Sequence, residues 1–88
     1  MKIKDGFVLE EVGGSYLAVA LGADADDFHG FVKMNSTGVF LWNLLTERDM
    51  SVDELVAALL EQYDVSEEIA RNDVYKLIGK LKEANILI

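Results

Sequence analysis

A chain of 88 residues with a 51% hydrophobic share is long enough for one domain with one core and too apolar for disorder. Its 16 acidic against 8 basic residues give a formal charge of −8, which argues against nucleic acid or an anionic membrane as partner, because phosphates are held by lysines and arginines that release counterions. There is no cysteine, no run long enough to span a bilayer and no signal-peptide core in Met1-Lys2-Ile3-Lys4-Asp5, so disulfides and thiolate metal sites are excluded and a soluble cytoplasmic protein is expected.

The first third reads as strands. Phe7-Val8-Leu9-Glu10-Glu11-Val12 and Tyr16-Leu17-Ala18-Val19-Ala20 flank Gly13-Gly14, a hairpin signal because primed two-residue turns need positive φ. An acidic loop from Gly22 to His29 follows. Gly30-Phe31-Val32-Lys33-Met34 reads as a third strand, with Phe31 and Lys33 on one face and Val32 and Met34 on the other.

The remainder reads as three helices. Asn35-Ser36-Thr37 offers N-cap side chains to a helix carrying Phe40, Leu41, Leu44 and Leu45 at helical spacing. Ser51-Val52-Asp53-Glu54 fits a capping box, followed by the apolar stripe Val52, Leu55, Val56, Leu59 and Tyr63. A third helix opens near Ser66 with Ala70, Val74, Leu77, Leu81 and Ala84 as its buried line, and Ile86-Leu87-Ile88 reads as an extended tail packed on the core. The expectation is one α+β domain over residues 1–88, a three-stranded antiparallel sheet followed by three helices.

Chemistry finds little support in the residues. The single histidine, His29, has no nucleophile or second nitrogen ligand beside it in sequence, so a catalytic or metal role is not expected. Asp24-Ala25-Asp26-Asp27 begins like a calcium loop but continues with Phe28 and His29 where a ligand and glycine belong. Asn35-Ser36-Thr37 fits the N-glycosylation pattern but is better placed to cap a helix. Phe40 and Trp42 are more readily core than a stacking surface. No cofactor is implied, and the chain is not expected to be an enzyme.

The order of elements and several motifs resemble the PqqD-like family. Asn35-x-Thr37-Gly38-x-x-Leu41-Trp42-x-Leu44-Leu45 is similar to the family's LNxTGxxxWxLL signature, with Met34 in place of the usual leucine. Ser51 to Glu54-Leu55, ending in Tyr63-x-Val65, resembles its second helix. Arg71-x-Asp73-Val74, then Leu77, Leu81 and Ile86-Leu87, resembles its third helix and tail. The resemblance implies a winged helix-turn-helix fold that binds peptide and has no catalytic role. Such a domain, a RiPP recognition element, holds the leader segment of a ribosomally made precursor and presents it to a modifying enzyme, often of the radical S-adenosylmethionine type. The leader adds as a strand beside the third strand, against the third helix. A monomer or weak homodimer is expected.

The candidate peptide-binding residues follow from that implication. The strand supplies Gly30, Phe31, Val32, Lys33 and Met34. On the third helix, with about 100° per residue and Val74 at zero, Ile78 falls near 40°, Arg71 near 60°, Lys82 near 80° and Tyr75 near 100°. Arg71, Tyr75, Ile78 and Lys82 thus form a mixed stripe beside the buried line and are taken as the helix wall. The alternative function is a DNA-binding winged-helix regulator. Against it, Arg71, Asn72, Lys76, Lys80 and Lys82 scatter round the helix among Asp73 and Glu83, where a recognition helix presents a coherent face to base edges.

Overall fold

A computed structural model describes residues 1–20 and 32–88. The acidic loop, His29, Gly30 and Phe31 lie outside the described residues. Strands β1 (Phe7–Val12), β2 (Ser15–Ala20) and β3 (Val32–Met34) precede helices α1 (Ser36–Glu47), α2 (Val52–Gln62) and α3 (Glu67–Glu83). The sheet is antiparallel, in the order β1-β2-β3. Gly13 and Gly14 join β1 to β2 with φ of 57° and 82°, the positive values that a primed turn requires and that side chains resist.

Capping side chains start each helix. Asn35 accepts the Gly38 amide at 2.9 Å, so its carbonyl oxygen is committed to opening α1. Ser51 and Glu54 form the reciprocal capping box of α2, with the Glu54 amide 3.2 Å from Ser51 Oγ and the Ser51 amide 3.0 Å from Glu54 Oε1. Ser66 Oγ accepts the Ile69 amide in α3. Leu41, Leu45, Leu55, Leu59, Val74, Leu81 and Ile86 are completely enclosed between the helices and the sheet. Trp42 belongs to this core, whereas Phe40 is half-buried and meets Tyr63 edge-on with ring centroids 5.8 Å apart. Among the described residues no polar side chain is buried.

Helix α3 ends in a device that returns the chain to the core. Asn85 has a φ of 61°; its amide donates to Lys82 O, and the Ile86 amide donates to Leu81 O, the paired bonds of a Schellman motif. The tail then runs antiparallel to the N-terminal segment. Lys4 N–H donates to Ile86 O, Ile88 N–H to Lys2 O, and Ile3 sits opposite Leu87. Ile3 is buried in the core and its amide donates to Leu45 O. The N-terminal residues are therefore structural, a role the sequence reading did not assign them.

Candidate functional site

An open depression of about 110 Å³ lies between β3, the start of α1 and α3. Lys33 and Met34 contribute from β3, and Asn35, Thr37, Gly38 and Leu41 from the beginning of α1. Helix α3 contributes Asp73, Lys76, Leu77 and Lys80. Gly38 explains how closely α1 approaches the strand. A Cβ added there would stand 3.1 Å from Met34 Cβ and 3.2 Å from Met34 Cγ, so the Asn-x-x-Gly spacing both caps α1 and seats it on β3.

On the strand side of the depression, β3 forms the edge of the sheet among the described residues. Its hydrogen-bonding direction follows from the register. Bonded and non-bonded pairs alternate along an antiparallel ladder, and a bonded pair closes a two-residue hairpin turn, here Val12 with Ser15. Glu10–Leu17 and Val8–Val19 are then bonded as well. Tyr16 and Ala18 are left to turn their backbone groups toward β3, where they stand opposite Met34 and Val32. The amide and carbonyl of Lys33, opposite Leu17, point outward from the sheet. Val32 and Met34 bury their side chains in the core while Lys33 is exposed on the other sheet face, the alternation the sequence anticipates.

The α3 residues expected to form a peptide wall and those beside this depression lie on different flanks of the helix. Arg71, Tyr75, Ile78 and Lys82 do not line the depression. Arg71 lies on the α2 side, where its guanidinium donates to Asp53 at 3.0 Å and to Glu67 at 3.2 Å. These bonds, Asp53 first and Glu67 second, with Tyr75 next, raise its already high pKa. Ile78 is core, 5% exposed, and Tyr75 and Lys82 face solvent. The buried line of α3 has two flanks. On the same angular scale Asp73 falls near −100°, Lys80 near −120° and Lys76 near −160°, on the flank opposite Arg71. Helical periodicity gives both flanks but not which one turns to the sheet. One clue was present: Arg71 sits one turn after Glu67, a spacing that favours pairing along the helix.

The depression is cationic for a protein of net charge −8. Among the described residues Lys33, Lys76 and Lys80 border it with Asp73 as the single acid, and none of the four is in an ion pair. The described residues include no cluster of three metal-ligating side chains and no helix long and apolar enough to cross a membrane. The arrangement offers backbone pairing, an apolar floor of Met34, Leu41 and Leu77, and two lysines one helical turn apart.

The family described as Coenzyme PQQ synthesis protein D (PqqD) matches residues 7–87, a span that holds every strand and helix. A solved structure, TbiB1 in complex with the TbiA(beta) leader peptide, shares the fold with a TM-score of 0.70 and 22% identity, covering 99% of this chain and 94% of that one. No curated protein matches the chain.

Proposed function

Because the chain belongs to the PqqD family, we propose that it is a leader-peptide-binding domain that holds a precursor peptide by β-strand addition on β3 and presents it to a modifying enzyme, without a catalytic role of its own. The observation that carries this reading is the open edge of β3 beside a depression walled by α3. Exposed edges pair with added strands unless blunted, and in β-augmentation main-chain bonds supply affinity while side-chain pockets supply specificity. That the related fold of TbiB1 was solved with a leader peptide supports the same class of ligand.

In this reading Lys33 gives the peptide one donor and one acceptor, and its side chain blunts the edge when no peptide is bound. Met34, Leu41 and Leu77 receive an apolar side chain. The wall is the Asp73, Lys76, Leu77 and Lys80 flank of α3, in place of Arg71, Tyr75, Ile78 and Lys82. The modifying enzyme, by family resemblance, is of the radical S-adenosylmethionine type.

The test is a calorimetric titration with synthetic leader segments of precursor peptides encoded beside this gene, comparing the wild-type chain with Lys33→Pro and Val32→Pro. Proline removes a backbone donor and is tolerated on edge strands only where that donor faces outward. Lys33→Pro should abolish binding while the unfolding midpoint changes little. Val32→Pro should lower the midpoint, because its amide pairs with β2. A leader that binds Lys33→Pro as tightly as wild type would refute strand addition at β3.

A further inference from the structure

We infer that the depression beside β3 selects extended peptides in which an acidic side chain stands two positions from an apolar one; the inference rests on the peptide-binding reading above and names its ligand class. Two of the chain's eight lysines and arginines, Lys76 and Lys80, stand on the α3 wall of this depression, and among the described residues Asp73 is the single acid that lines it. Arg71, by contrast, is neutralised by Asp53 and Glu67. Lys76 and Lys80 stand one helical turn apart with no ion pair among the described residues, so a carboxylate beside them gains an attraction that the neutralised Arg71 does not offer.

Spacing supplies the rest. Same-face side chains of a strand repeat about every 6.6–6.8 Å. The α3 wall from Asp73 to Lys80 is about 10.5 Å long at 1.5 Å per residue, room for two such side chains. One meets the floor of Met34, Leu41 and Leu77, and the next on that face reaches Lys76 and Lys80. The residue between them points to the opposite sheet face, alongside the exposed Lys33 side chain, where a second acid is also favoured.

A displayed library of short random peptides, selected on the wild-type chain, tests this without knowledge of the natural ligand. Enriched sequences should carry Asp or Glu two positions from Leu, Ile, Met or Phe. The Lys76→Glu/Lys80→Glu variant should lose that preference. For one enriched acidic peptide, Lys76→Gln and Lys80→Gln should each weaken binding about two- to fivefold at low salt, and the difference should shrink as salt rises. Both positions are exposed, so the glutamine variants carry the test if the charge-reversed chain does not fold by circular dichroism. Enriched peptides that need the Lys33 edge, judged by loss in Lys33→Pro, yet show no acidic preference would overturn this inference and leave the proposed function standing. Failure to enrich any peptide, or enrichment indifferent to Lys33→Pro, would overturn both.

Discussion

The contact between Gly38 and Met34 makes a prediction whose sign depends on geometry alone. Alanine in place of glycine favours a helix by about 1 kcal/mol in its interior, a gain available at Gly79 in the interior of α3 and only in part at Gly38, the third residue of α1. At Gly79 an added Cβ meets nothing within 4 Å, so Gly79→Ala should stabilise by about 1 kcal/mol. At Gly38 the same atom stands 3.1 Å and 3.2 Å from the Met34 side chain, and Met34 is only 6% exposed with little room to yield. Overpacking of this kind costs roughly 1–3 kcal/mol. Offset in part by the helical gain, Gly38→Ala should be destabilising by about 0–3 kcal/mol, and the two variants should differ by roughly 1–4 kcal/mol. With a urea slope of about 1 kcal/mol/M for a domain this small, their midpoints should separate by on the order of 1–4 M. Urea unfolding followed by tryptophan fluorescence reads this directly, since Trp42 is in the core. If Gly38→Ala raised the midpoint as far as Gly79→Ala does, the α1–β3 contact would not be a packing constraint and the argument for glycine in this motif would fail.

Three further outcomes follow from the same structure. Arg71→Ala should leave the urea unfolding midpoint nearly unchanged, since its ion pairs are exposed, and should leave leader binding within the error of a titration. Leu59→Ala, which opens a cavity under α2, and Trp42→Ala should each lower stability by roughly 2–5 kcal/mol, a large part of the total for a domain of this size; a mutant that lost peptide binding with an unchanged midpoint would place its side chain in the site. The Tyr16 phenol should ionise above the ordinary tyrosine range, because it donates a hydrogen bond to Glu11 and the carboxylate charge disfavours phenolate. An NMR pH titration of the Tyr16 ring in wild type and Glu11→Gln should show the variant titrating at the lower pH.

The elements were legible wherever local chemistry decides them. Gly13-Gly14 marked the hairpin, Asn35, Ser51 and Ser66 marked the helix starts, and the apolar periodicities of α2 and α3 marked their buried faces. These signals act over a few residues and are written in residue type. What depended on tertiary handedness was not legible. The wheel of α3 separates Arg71 from Lys76 and Lys80, but only the packing of α1, α2 and the sheet decides which flank turns toward β3. Ile3 escaped notice because a lone apolar residue between lysines has no periodicity, and its burial depends on the returning tail. Asn85 did carry a signal, since asparagine after a helix accepts the left-handed conformation. The outward direction of the Lys33 amide came from register, which the hairpin turn fixes through β2.

The central claim is that a leader peptide pairs with the outer edge of β3. Backbone amide hydrogen exchange, followed by NMR in the chain with and without a bound leader segment, tests it most directly. The Lys33 amide should exchange fast in the free chain and become strongly protected in the complex, with the amides of Val32 and Met34, already directed at β2, changing far less. Protection that appeared instead on β1, in the Gly13-Gly14 turn or along α2, with Lys33 unchanged, would contradict the account.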